Sequence, residues 1–254
     1  MKIAYYQQDI VWEDTKANLD KITGAFSRLE KDVELFIFPE MFHAGFTMDP
    51  GKVAERMDGD VVNFLKNSAA KYNTAIIGSA VISENGNYYN RLLAVKPDGT
   101  IDKYDKRHLF SVGGEDRNYV PGKKRNVTTA GDAEILPLIC YDLRFPVWSR
   151  WKNDYDVLIY IANWPASRRK VWKTLLKARA IENQCYVIGV NRVGKDASVS
   201  YSGDSMVVDA KGKVISKAKD MEGIFYADID LTSLREFRDK FPVWKDADNF
   251  NITV

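Results

Sequence analysis

Three stretches of the sequence set a reactive side chain where a buried strand runs out. In Leu138-Ile139-Cys140 a thiol ends the apolar run 133–139. In Phe38-Pro39-Glu40 a carboxylate follows the run 33–38, and in Tyr104-Asp105-Lys106 an amine follows 101–104. Side chains at strand ends are held by rigid backbone yet face the loops that admit a ligand. A thiol at such a place is a candidate nucleophile. Its free pKa is ~8.5, and a lysine beside it would favour the thiolate or help hold an oxyanion. A glutamate directly after a buried strand is costly to desolvate without a partner, which makes Glu40 a candidate general base. Each residue also has a plain alternative: Cys140 as small apolar filler, Glu40 as an exposed loop start, Lys106 as one more solvated cation near Lys103 and Arg107. Taken singly, they leave both readings open.

Other chemistries find less support. A Cys–His pair would have to use His43 or His108, the two histidines, and neither lies in a recognisable partner motif. There is no Cys-x-x-Cys and no His-Glu-x-x-His, so no metal site is expected. Without a Gly-x-Gly-x-x-Gly or a P-loop, no nucleotide cofactor is expected either. Cys185, in Gln184-Cys185-Tyr186-Val187, reads as core.

The elements that must position these groups follow from periodicity. Residues 2–7 read as a first strand, and 14–30 as a helix with Leu19, Ile22, Phe26 and Leu29 on one face and Asp14 as cap. A strand at 33–38 and a helix at 60–72 come next. Strands at 74–82 and 88–96 flank a hairpin signal, Glu84-Asn85-Gly86-Asn87, and a further strand spans 101–104. Between 106 and 131 the periodicity fails, and a loop of that length inside a domain is more often functional than idle. After the Cys140 strand, Phe145-Pro146 opens a short helical stretch carrying Trp148 and Trp151. Residues 156–162 form a strand that ends at Asn163-Trp164-Pro165. A basic helix at 167–184 turns Val171, Leu175, Ala178 and Ile181 inward. Strands at 186–190, 205–209, 214–217 and 224–229 precede a last helix at 231–240. Interspersed helices and near-continuously apolar strands predict one α/β domain over 1–254, its sheets covered by helices.

Composition agrees with a globule. The chain has 254 residues, 45% hydrophobic, enough for a core that needs no staples. A formal charge of +2, from 37 basic and 35 acidic residues, predicts neither a nucleic-acid nor an anionic-membrane partner. Two cysteines without secretion-type spacing, no signal-like start and no run near the ~20 apolar residues of a membrane span place the protein in the cytoplasm.

Taken together, Phe38-Pro39-Glu40, Tyr104-Asp105-Lys106-Arg107-His108-Leu109-Phe110 and Cys140-Tyr141-Asp142-Leu143-Arg144-Phe145-Pro146 resemble the nitrilase, or carbon–nitrogen hydrolase, superfamily. So do Tyr160–Pro165, 177–184, 189–194 and Tyr201-Ser202-Gly203-Asp204-Ser205, in the same order along nearly the whole chain. The branch most similar is that of the ω-amidases, which act on 2-oxoglutaramate and 2-oxosuccinamate. The resemblance implies a four-layer α-β-β-α sandwich, subunits that pair into a homodimer or a higher homo-oligomer, a small amide as partner, and no cofactor. It implies Cys140 as nucleophile, Glu40 as base, and Lys106 with the Tyr141 amide at the oxyanion. It also implies a second glutamate, Glu115. Branch members usually carry Ala-Gly-Glu-His there, where this chain has Gly113-Gly114-Glu115-Asp116. A 2-oxo acid presents a carboxylate, for which a guanidinium is a good bidentate partner, so Arg144 and then Arg168 are candidates to bind it. Phe110 and Trp164 are candidates for an apolar wall. The alternatives are another amidase of the superfamily, an N-carbamoyl-amine hydrolase, or a non-catalytic binding homologue.

Overall fold

The computed structural model of the protein describes residues 1–253. The first half of the chain runs β1 (Lys2–Gln7), α1 (Thr15–Phe26), β2 (Leu35–Ile37), α2 (Asp60–Tyr72), β3 (Ala75–Glu84), β4 (Asn87–Val95) and β5 (Ile101–Asp105). The second half begins β6 (Thr128–Ala130), β7 (Ala133–Ile139), α3 (Pro146–Ser149), β8 (Val157–Ala162), α4 (Arg169–Asn183) and β9 (Tyr186–Asn191). It finishes with β10 (Val193–Lys195), β11 (Ser200–Ser202), β12 (Met206–Val208), β13 (Val214–Lys217), β14 (Gly223–Asp228) and α5 (Leu231–Lys240).

Two six-stranded sheets result, ordered β14-β1-β2-β3-β4-β5 and β13-β12-β9-β8-β7-β6. In each the central three strands are parallel: β1, β2 and β3 in one, β7, β8 and β9 in the other. Alternation along β1 explains the layering. Ile3 and Tyr5 share a core with β7, β8 and β9, whereas Ala4 and Tyr6 pack with Ile22 and Phe26 of α1 and Val61 and Leu65 of α2. Trp172, Leu176 and Ala180 of α4 close the outer face of the second sheet. The order is helices, sheet, sheet, helix: the α-β-β-α sandwich implied by the resemblance.

The α1 cap is Asp14, whose carboxylate accepts the Ala17 N–H at 2.9 Å. One helix face requires correction. Val171, Leu175 and Ala178 are half-buried and Ile181 is 55% exposed, while Trp172, Leu176 and Ala180 are buried. Two apolar stripes run side by side on α4, and the heavier one wins because the Trp172 indole also finds an acceptor, the Asp204 carbonyl at 3.0 Å. Trp151 likewise lies beyond the end of α3, buried against Tyr155, to whose carbonyl its indole N–H donates at 2.7 Å. The β10–β11 hairpin falls where no strand was expected, three residues on each side of a polar turn.

His43 is fully buried beside the β2 exit; its Nε2 accepts the Val81 N–H at 3.1 Å, and its Nδ1 lies 3.3 Å from the Thr15 hydroxyl. Burial lowers its pKa from 6.5 to about 4. An unfolded chain binds this proton at pH 6.5 and the folded one resists until about 4, so stability present above 6.5 is lost as pH falls through that window. The loss amounts to about 3 kcal/mol. Denaturant melts from pH 7 to 4 test this: H43Q should lose less stability than wild type over the interval, and parallel curves would refute it.

Candidate active site

The carboxyl ends of strands from both sheets converge. Glu40 follows β2, Cys140 follows β7, Asn163 follows β8 and Lys106 follows β5. Ligand sites in open α/β sheets gather at such ends. Here two sheets face each other, so two sets of strand ends supply one site.

Glu40, Lys106 and Glu115 form a dry cluster with no exposed side-chain surface. Lys106 Nζ donates to Glu40 Oε1 at 2.8 Å and straddles Glu115 at 3.0 and 2.9 Å. Asn90, on β4, donates to both carboxylates, at 2.8 Å to Glu40 and 3.2 Å to Glu115. The other Glu40 oxygen accepts the Asn163 N–H at 2.9 Å, and the Asn163 side chain returns a bond to the Glu40 carbonyl at 2.6 Å. Glu115 also accepts the Phe110 N–H at 2.5 Å. Phe46 lays its ring 5.0 Å from the Lys106 nitrogen.

One ammonium serving two buried carboxylates sets the electrostatics. Burial alone would depress the Lys106 pKa, but the charges of Glu115, Glu40 and Cys140 outweigh it and raise it, so the ammonium is held. The Glu115 pKa is nonetheless raised, because burial and the Glu40 charge exceed what a shared lysine returns. Cys140 is pushed well above its ordinary value, first by burial and then by the neighbouring Glu40 charge, with Lys106 opposing. Lys106 does favour the thiolate, as expected, but burial and the carboxylate charges outweigh it. Lys106 is already neutralised by two carboxylates, and the resting nucleophile is a thiol whose proton Glu40 is placed to take.

Cys140 opens a short 3-10 turn, Cys140–Arg144, with φ +44°. Left-handed backbone at a non-glycine residue is costly and needs support from its surroundings. Asp142, fully buried, supplies it. One oxygen accepts Ile139 N–H and the Tyr104 hydroxyl at 3.0 and 2.8 Å; the other accepts the His108 N–H and lies 2.8 Å from its ring Nδ1. His108 thus braces the turn instead of pairing with the thiol. Cys185 is buried in the core, and burial raises its thiol pKa.

Cys140 faces a cavity of about 390 Å³, the size of a small-ligand site. Tyr141, Arg144, Phe110, Trp164 and Arg168, named from the sequence, all line it. Arg144 stacks over Trp164 at 5.2 Å and Arg168 over Phe110 at 5.4 Å. Trp164 is pinned through its backbone by Asn191, at 2.7 and 3.0 Å. Trp12, Phe46 and Met48, from other loops, carried no mark in the sequence, and Tyr201 of β11 was quoted only within a motif; together they complete the wall. Among the described residues, no group of three or more His, Cys, Asp or Glu is placed to hold a metal ion.

The carbon-nitrogen hydrolase family model matches residues 2–239. The chain belongs to the carbon–nitrogen hydrolase family. Within it, the chain is 43% identical to the omega-amidase YafV of Escherichia coli strain K12, over 99% of this chain and 98% of that protein. It is 32% identical to the 2-oxoglutaramate amidase of Bacillus subtilis strain 168, over 96% of each. The crystal structure of XC1258 from Xanthomonas campestris, a CN-hydrolase superfamily protein with an arsenic adduct in the active site, superposes with a TM-score of 0.96. Its identity is 38%, covering 100% of this chain and 99% of that one. As a carbon–nitrogen hydrolase, the protein is an enzyme acting on amides.

Proposed function

We propose that the protein is an ω-amidase, hydrolysing the terminal amide of 2-oxoglutaramate and 2-oxosuccinamate to the acid and ammonia. The observation that carries this reading is a thiol, backed by the buried Glu40–Lys106–Glu115 cluster, facing a cavity with two arginines. Among the described residues neither Arg144 nor Arg168 pairs with a carboxylate, so a substrate carboxylate can take that place. Asp196, which also lines the cavity, is occupied by the N–H groups of Ser198 and Val199 and the Tyr201 hydroxyl. A 2-amino group would meet two cations, and the acid nearest it is already engaged by three partners. Similarity to omega-amidases and to 2-oxoglutaramate amidase points the same way.

The buried cluster beside the thiol supports the steps that the resemblance implies. Glu40 takes the Cys140 proton as sulfur attacks the amide carbon. Lys106 and the Tyr141 N–H, in the first turn after the nucleophile, hold the oxyanion. Glu40 passes the proton to nitrogen, ammonia leaves, and a thioester remains. Glu40 then draws a proton from water, which attacks the thioester carbon and frees the acid and the thiol. Glu115 keeps Lys106 oriented and charged.

A homodimer paired through helices beside the site, or a higher homo-oligomer, is the expected assembly. Two free thiols fit a reducing cytoplasm. Among the described residues no helix is long and apolar enough to cross a membrane.

Substituting the arginines tests the substrate assignment. R144A and R168A should each raise KM for the oxo-amides by about 10–100-fold, the value of a lost charge-assisted bond. Turnover of a neutral short amide should stay near wild type. Equal losses on charged and neutral amides would refute carboxylate recognition.

A further inference from the structure

In the cavity wall that Cys140 shares, the Phe110 ring occupies the room a methyl group on Gly113 would need. Phe110 lines the cavity, its ring meeting Tyr141 edge-to-face at 5.1 Å and the Arg168 guanidinium at 5.4 Å. Behind the ring lies Gly113, itself at the cavity edge. A Cβ on Gly113 would fall 2.5 Å from Phe110 Cδ1 and 2.8 Å from Cε1. Carbon atoms pack at ~3.5–4.0 Å, so the ring would have to retreat by about 1 Å.

The backbone does not demand glycine at this position. Gly113 lies outside the left-handed region, whereas Gly114 sits at φ +81° with open space around its Cβ position. Gly114 is there for its conformation, and Gly113 for the ring beside it.

We propose that Gly113, by letting Phe110 lean away from Cys140, sets the length of acyl chain the cavity accepts. This rests on reading the cavity as the acyl pocket. A methyl group on Gly113 drives the ring toward Tyr141 and Arg168, its neighbours in the cavity wall, and shortens the space between sulfur and guanidinium. The five-carbon monoamide then suffers more than the four-carbon one. Gly113 is a positioning residue: it acts through Phe110 and touches no reacting atom.

The test compares G113A with wild type on 2-oxoglutaramate and 2-oxosuccinamate. The ratio of their kcat/KM values should shift about tenfold toward the shorter substrate, the low end of what one methylene is worth in a pocket. Adding F110L, which removes the displaced ring, should bring the ratio back. Equal losses on both substrates, or no change on either, overturn the proposal. A second readout needs no amide turnover. Aldehyde acids bind Cys140 as hemithioacetals, the sulfur adding to the carbonyl carbon and the thiol proton passing to oxygen. Protection of Cys140 from iodoacetamide gives their affinities. G113A should weaken 5-oxopentanoate about tenfold more than 4-oxobutanoate. Equal weakening overturns the proposal even if neither oxo-amide proves to be a substrate.

Discussion

Replacing Cys140 with alanine should lower amide turnover by a factor on the order of 10⁴ or more while the protein stays folded. Without sulfur no thioester forms, and the remaining groups can only polarise the amide. The fold survives because alanine keeps the Cβ, so the backbone at φ +44° meets the same strain as in wild type. The turn is braced by Asp142, which the substitution does not touch. Loss of one sulfur atom from a partly exposed position costs about 1 kcal/mol. Ammonia release and a thermal melt on one preparation check both halves. Turnover by C140A at the wild-type rate would remove the nucleophile assignment.

Glu40→Gln has the second largest expected effect, and it separates two roles of one carboxylate. The amide keeps the size of the side chain but cannot take the thiol proton, so kcat should fall by about 10²–10⁴. Cys140 should respond in the opposite sense. The Glu40 charge is one of the causes that hold the thiol pKa up, so removing it lets the thiolate form at lower pH. The pH profile of Cys140 alkylation by iodoacetamide should move to lower pH in E40Q while hydrolysis collapses. A purely structural role for Glu40 would leave that profile where it is. Retained turnover, or an unmoved profile, would contradict the assignment.

Much of the scaffold could be read from residue types because local signals agreed with tertiary demand. The helix bounds Asp60–Tyr72 and Leu231–Lys240 and the strands Lys2–Gln7 and Ala133–Ile139 follow directly from apolar periodicity. The inward face of α4 did not. Val171, Leu175 and Ala178 make as regular a stripe as Trp172, Leu176 and Ala180, and the choice was made by a hydrogen bond to Asp204 from another loop. The β10–β11 hairpin escaped for a related reason: each strand has three residues, too few for alternation to register.

The candidate site divides the same way. Glu40, Lys106 and Cys140 were legible in motifs and Glu115 through the resemblance alone, and the structure brings the two glutamates and the lysine together in one buried cluster. Asn90 was not, since an asparagine within a strand carries no mark of the carboxylates it will reach. Asp142 was quoted with the nucleophile motif, yet its four contacts come from residues as distant as Tyr104 and His108. The thiol's electrostatics also depended on count. Lys106 favours the thiolate, but burial and two nearby carboxylates outweigh it.

The most direct test of the account is ammonia release by the purified protein from 2-oxoglutaramate, 2-oxosuccinamate, glutamine and an N-carbamoyl amino acid, with C140A as control. The two oxo-amides should turn over, the other two little, and C140A should release nothing above background. Turnover of the carbamoyl compound in place of the oxo-amides, or release undiminished in C140A, would contradict it.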